Sequence, residues 1–277
     1  MENKISTCLI CYEISDIKLS CNHHYCISCL KHFYNSNSNN FIYRCCYCTQ
    51  FLSINDLKLL NIELNEKIIM IIFSSGKLEQ IQYLIEQKEF IWKNEYFDKA
   101  AAKGNLEVVK FLHSIGKSCT ERAMEFASQN GHLEIVKFLH LIEAPCTKRA
   151  MNIASNNGHI EVVKFLHSIG KDCTEHAIVD ASYNGHIEVV QFLHSIGAPC
   201  IKEAMDYASS KGHIEVVKFL HSIGASCTTK AMDLASYFGR LEVVKFLHSI
   251  GAHCTTKAID NASKNGHLDI VEFLKKI

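Results

Sequence analysis

Gly158-His-Ile-Glu-Val-Val-Lys-Phe-Leu-His-Ser-Ile-Gly170 is the stretch whose reading decides the fold. Ile160, Val163, Leu166 and Ile169 recur at helical spacing, with Val162 and Phe165 widening the apolar stripe. Glu161 and Lys164 are left outside as a solvated pair, worth roughly 0.2–0.5 kcal/mol. A stripe this wide suits a helix sandwiched between neighbouring repeats. The glycine that opens it recurs as Gly104, Gly131, Gly158, Gly185, Gly212, Gly239 and Gly266, each 27 residues after the last. Such a period is the mark of a solenoid. Gly76 opens a degenerate earlier copy, Gly76-Lys-Leu-Glu-Gln-Ile-Gln-Tyr-Leu-Ile85, which makes eight units.

Each unit carries a second helical stretch ahead of the glycine, such as Cys146-Thr-Lys-Arg-Ala-Met-Asn-Ile-Ala-Ser155. Its recurring threonine is placed to cap a helix N-terminus. Alanines four apart, Ala150 and Ala154, form a narrow face that lets another helix approach. Asn-Gly then ends the helix, glycine taking the left-handed cap position at little cost.

Before residue 55 the composition is different. Eight of the fourteen cysteines lie in the first 48 residues. Seven of them and one histidine are ordered Cys8-x2-Cys11, Cys21-x-His23-x2-Cys26-x2-Cys29 and Cys45-x2-Cys48. Four successive pairs at this spacing are a strong signal for two tetrahedral, structural zinc ions. His24 and Cys46 are spare candidates. An Asn/Ser tract, Asn35 to Asn40, is too polar to pack.

Lys plus Arg equals Asp plus Glu, 29 each, so the whole chain has no electrostatic footprint for nucleic acid or an anionic membrane. No apolar run reaches the 18 or more residues of a membrane span, and the N-terminus has no signal peptide. These features predict a soluble protein of a reducing compartment, where clustered cysteines bind metal rather than form disulfides. The expected location is the cytoplasm.

The motif Gly-His-Ile-Glu-Val-Val-Lys-Phe-Leu-His-Ser-Ile-Gly-Ala is similar to the second-helix signature of ankyrin repeats, over roughly residues 66 to 277. The usual ankyrin period is 33, so the six missing residues should remove most of the β-hairpin finger, and the usual Thr-Pro-Leu-His is replaced by segments like Arg149-Ala-Met-Asn152. The short period resembles ankyrin-type arrays of giant DNA viruses, and a viral source would make the expected location the host cell cytoplasm. The cysteine/histidine series resembles a RING finger of the seven-cysteine, one-histidine type, over about residues 5 to 52. The expected fold is therefore a small zinc-bound α+β cross-brace domain followed by an all-α ankyrin-like solenoid. Its expected parts are residues 1–54, a connecting and capping helical segment at 55–75, and the array at 76–277.

The RING resemblance implies that Cys8, Cys11, Cys26 and Cys29 hold one zinc, and that Cys21, His23, Cys45 and Cys48 hold the other. It implies a ubiquitin ligase that binds a charged ubiquitin-conjugating enzyme through Ile10 and Phe33 and has no catalytic residue of its own. Two of that family's contact positions depart. Cys46 stands where a proline is usual, and Thr49 where active members carry a basic residue. The alternative is a non-catalytic interaction scaffold with a structural zinc module.

Histidines repeat at His113, His140, His167, His194, His221 and His248, and a second ladder runs through His132, His159, His186, His213 and His267. A cysteine repeats as Cys119, Cys146, Cys173, Cys200, Cys227 and Cys254. Members lie a full layer apart, too far to share a metal, so duplication explains them and the cysteine reads as a small buried residue. First helices vary more than second helices, which fits a surface that reads a protein partner. Tyr183, Tyr207, Tyr237 and Phe238 are its candidate anchors.

Overall fold

Residues 160–168 form a helix because nothing in Ile-Glu-Val-Val-Lys-Phe-Leu-His-Ser breaks one and a continuous face can be buried. The computed structural model describes residues 17–18, 22–25, 66–75, 77–87, 90–199, 202–253 and 255–276. They belong to two compact units, Met1–Lys117 and Ser118–Ile277. Among the described residues there are sixteen α-helices, making eight pairs.

In the first unit, strands β1 (Ile17–Lys18) and β2 (His24–Tyr25) pair antiparallel, with Ile17 opposite Tyr25 and Lys18 opposite His24. Tyr25 is wholly buried. Four helices follow: α1 (Glu66–Ser75), α2 (Leu78–Ile85), α3 (Asn94–Ala102) and α4 (Leu106–Ser114). The expected capping segment is thus helical from Glu66; residues 55–65 lie outside the described residues. Phe73 stacks on Tyr96 at 5.0 Å, and Phe90 and Trp92 close around the pair. The degenerate copy beginning at Gly76 supplies α2, whose Ile81 and Leu84 are buried.

The second unit holds six repeats. Their first helices are α5 (Glu121–Gln129), α7 (Lys148–Asn156), α9 (Glu175–Asn184), α11 (Glu203–Lys211), α13 (Thr229–Tyr237) and α15 (Lys257–Lys264). Their second helices are α6 (Leu133–Leu141), α8 (Ile160–Ser168), α10 (Ile187–Ser195), α12 (Ile214–Ser222), α14 (Leu241–Ser249) and α16 (Leu268–Lys275). Each first helix packs on the first helix of the next repeat and on its own second helix. Ala150 and Ala154 are completely buried in that stack, as their spacing predicts.

The buried face of α8 is Val162, Val163 and Leu166, each contributing about 1.5–3 kcal/mol on full burial. Ile160, Phe165 and Ile169 are only half-buried, so the stripe is centred one residue away from the predicted one. Lys164 and Glu161 pair at 2.9 Å on the solvent side. Thr120, Thr174 and Thr228 cap their helices as expected, each accepting the N–H two residues on. Thr147 caps α7 without that bond; its hydroxyl donates instead to Glu125 of the preceding repeat at 2.8 Å. Half-burial corrects the reading of the repeated cysteine: Cys119, Cys146, Cys173 and Cys227 keep part of their surface in solvent.

Candidate partner-binding surface and the inter-repeat staples

The repeated histidines hold one repeat to the next in two ways. His159 precedes α8, and its Nε2 lies 2.9 Å from the carbonyl of Gln129, thirty residues earlier. His186 and His267 make the same contact with Asn156 and Tyr237. The ring then lies against the glycine of the preceding repeat: a Cβ added to Gly158 would stand 2.6 Å from Nδ1 of His186. Gly158 is therefore fixed twice, by its φ of +75° and by the ring above it. Arg240 takes the histidine's place once, donating from Nε to the Ser210 carbonyl at 3.3 Å. The other ladder makes ring contacts, with His167 edge-on to Phe192 at 5.8 Å and His221 edge-on to Phe246 at 5.8 Å. Neither role was evident from the sequence, because a period of 27 hides which neighbour each copy touches.

A polar staple joins the first helices. The Thr228 N–H donates to one carboxylate oxygen of Asp206 at 2.9 Å, and its hydroxyl to the other at 2.7 Å. Thr255 meets Asp233 in the same way, and Asn152 serves Thr174. Every such pair is 22 residues apart. Where the acid position is Val179, the residue 22 positions later in sequence is Ile201, apolar in its turn.

What remains exposed on the first helices is variable. Tyr183, Tyr207, Tyr237 and Phe238 are 38 to 43% exposed. Tyr183 meets Tyr207 edge-to-face at 5.9 Å, Tyr237 meets Phe238 at 4.9 Å, and the Lys211 ammonium lies 4.5 Å from the centre of the Tyr183 ring. The predicted anchors therefore form two pairs, each in ring contact. Asp180, one turn before Tyr183, is half-buried, and burial raises its carboxyl above the usual range. Burial likewise raises the thiols of Cys146, Cys173 and Cys227, which favours the inert, protonated form. Burial lowers His213, against its bond with the Tyr183 carbonyl. Lys211 and Asp180 were missed by the sequence reading; comparing repeats position by position would have marked both as departures.

Among the described residues, no group of three or more His, Cys, Asp or Glu side chains could hold a metal. Of the expected zinc ligands, His23 alone is described, immediately before β2, and it is partly exposed. Cys8, Cys11, Cys21, Cys26, Cys29, Cys45 and Cys48, together with Ile10 and Phe33, lie outside the described residues. No helix among the described residues is long and apolar enough to cross a membrane.

Helix pairs joined through their first helices, with a left-handed glycine between the two helices of each pair from residue 94 onward, are the geometry against which a family can be judged. Stretches 97–177, 123–203, 151–231 and 178–261 match the family described as Ankyrin repeats (3 copies), which together is more than half of the chain. The chain belongs to the ankyrin-repeat family. No curated protein matches it. Ankyrin repeats suggest a role in protein–protein interaction, and here the variable first-helix surface is where the repeats differ from one another. The staples above explain why it can vary: stacking is carried by alanine, valine, leucine, histidine and threonine at other positions.

Proposed function

We propose that the chain is a RING-type ubiquitin ligase whose ankyrin repeats recruit the protein substrate. The observation that carries this reading is the series Cys8, Cys11, Cys21, His23, Cys26, Cys29, Cys45 and Cys48. Seven thiols and one imidazole are the donor set that zinc prefers. Pairing of β1 with β2 supports it too, since the strands bring together the chain on either side of Cys21 and His23, with Asn22 turning at a φ of +67°. When bound, two Zn2+ ions would supply about 10–16 kcal/mol of folding free energy per site to a segment too short for a sufficient core. Cys8, Cys11, Cys26 and Cys29 would hold one ion, and Cys21, His23, Cys45 and Cys48 the other. Ile10 and Phe33 would offer an apolar contact to the ubiquitin-conjugating enzyme, while the repeats hold the substrate so that its lysine meets the thioester. No side chain of this chain forms a covalent intermediate in that scheme.

Cys46 and Thr49 favour a second reading, an interaction scaffold that transfers nothing. Threonine cannot supply the multiple charged donors of arginine. The deciding experiment is autoubiquitination by the zinc-loaded full chain with a panel of conjugating enzymes. Ubiquitin conjugates are expected with at least one enzyme, and Ile10→Ala is expected to abolish them with zinc content unchanged. Absence of transfer with every enzyme overturns the ligase reading and leaves the scaffold.

A further inference from the structure

We infer that the exposed stripe on the first helices of the second unit docks an extended, acidic segment of the recruited protein, with apolar side chains at the segment's centre. This rests on the substrate-recruiting role of the repeats and names the chemistry they select.

The neutral total charge of the chain conceals an uneven distribution. The position two residues after each first-helix cap threonine, or its equivalent, reads Arg122, Arg149, His176, Glu203, Lys230 and Lys257, all exposed. Three acids on the same helices are turned toward the next repeat instead: Glu125 bonds Thr147, Asp206 bonds Thr228 and Asp233 bonds Thr255. Second helices neutralise themselves, as in Lys218–Glu215 and Lys245–Glu242, both at 3.0 Å. Exposed acids do stand on these helices, at Glu121, Glu175, Glu203 and Asp260, but exposed lysines and arginines outnumber them seven to four, and a long 3.9 Å contact ties Arg149 to Glu125.

The order along the stripe is the informative part. Arg122 and Arg149 come first, the Tyr183–Tyr207 and Tyr237–Phe238 pairs occupy the middle and later repeats, and Lys230 and Lys257 accompany and follow them. Packed helices lie about 8–10 Å apart, and an extended chain advances about 3.3 Å per residue. One partner residue in three therefore meets each new repeat. The complementary segment carries carboxylates toward its ends and leucine or aromatic residues between them. A nucleic acid fits less well, because its evenly spaced phosphates would have to cross Asp180 and Glu203 in the middle of the stripe.

The test is selection of a displayed library of random 16-residue peptides on the full chain, followed by anisotropy titration of the enriched peptides and of a 20-nucleotide single-stranded DNA. Enriched peptides are expected to be net acidic with a central apolar cluster, and to lose affinity as salt rises. Lys230→Glu with Lys257→Glu should weaken them about tenfold or more, and so should Tyr207→Ala with Tyr237→Ala. Both variants change exposed side chains, and an unchanged melting temperature verifies their fold. Enrichment of neutral or basic peptides, no enrichment, tighter binding to the DNA, or indifference to either pair of substitutions overturns the inference. Ubiquitin transfer plays no part in this readout. An inactive ligase that still selects acidic peptides refutes the ligase reading alone, and an active one that selects none refutes the stripe alone.

Discussion

Asp206 and Thr228 are joined by two hydrogen bonds across consecutive repeats, and the same threonine hydroxyl also accepts the N–H of Lys230 at 3.1 Å. One side chain thus caps its own helix while anchoring it to the helix before. Asp206 is 3% exposed, and the desolvation of its carboxylate is offset by these bonds. Asp206→Val should cost about 1–3 kcal/mol, since it leaves the Thr228 N–H unpaired. Thr228→Ile added to Asp206→Val recreates the Val179/Ile201 combination. The double variant is expected to cost less than the two single variants summed, by at least about 1 kcal/mol in urea unfolding. Simple additivity would refute the pairing.

Gly158 and Gly170 have φ values of +75° and +72°, so alanine carries a similar backbone penalty at both, about 1–2 kcal/mol. Nothing lies within 4 Å of a Cβ at Gly170, whereas at Gly158 the ring of His186 is in the way. Gly158→Ala should therefore be the more destabilising by at least about 1 kcal/mol. Equal midpoints in denaturant would count against the ring contact.

Glu143 has a φ of +54° at the place where five other repeats carry Gly116, Gly170, Gly197, Gly224 and Gly251. The left-handed region is unfavourable for a residue with a Cβ. Glu143→Gly is expected to raise stability by about 1 kcal/mol, read as a higher urea midpoint with an unchanged slope. A lower midpoint would show that the glutamate side chain contributes more than its backbone costs.

His213 is held below the ordinary imidazole value of 6.5, chiefly by burial. The unfolded chain therefore binds the proton more readily than the folded one. Stability from this group is present in full above pH 6.5 and is lost as pH falls through 6.5 toward the lowered folded value. His213→Gln should flatten the pH dependence of the thermal midpoint between about pH 7.5 and 5. An unchanged slope would assign it to other groups.

Thr49→Arg restores the charged donor that the RING resemblance leads one to expect. If the ligase reading holds, the variant should transfer ubiquitin faster, on the order of tenfold, the worth of one charge-assisted hydrogen bond. Single-turnover discharge of a loaded conjugating enzyme is the measurement, and an unaltered rate would place Thr49 away from the contact.

The period of 27, the glycine caps and the alanine pairs were enough to read the paired helices, because each depends on a residue and its neighbours within one turn. The Tyr183, Tyr207, Tyr237 and Phe238 surface was legible for a related reason: large apolar side chains stand out against a duplicated frame. The histidine staples were not, since His159 acts on Gln129 thirty residues away and nothing local distinguishes it from a solvated histidine. Half-burial of Phe165 was missed because a helical wheel cannot say how far the neighbouring repeat extends over it. Nothing local separates Asp206 from a surface acid either, since its partner lies 22 residues on.

Asp206/Thr228 and its three polar counterparts, set beside the apolar Val179/Ile201 of the sequence, bear on how such a chain can change length. Deleting or copying whole 27-residue units by recombination leaves the alanine faces and histidine contacts matched, because they are the same in nearly every unit. The polar and apolar pairs are not interchangeable. A deletion that brought Thr228 against Val179 would strand a hydroxyl and an N–H beside a methyl group. The staple thus works as a keyed joint, recording which units may be neighbours and so preserving the order in which their variable faces are displayed.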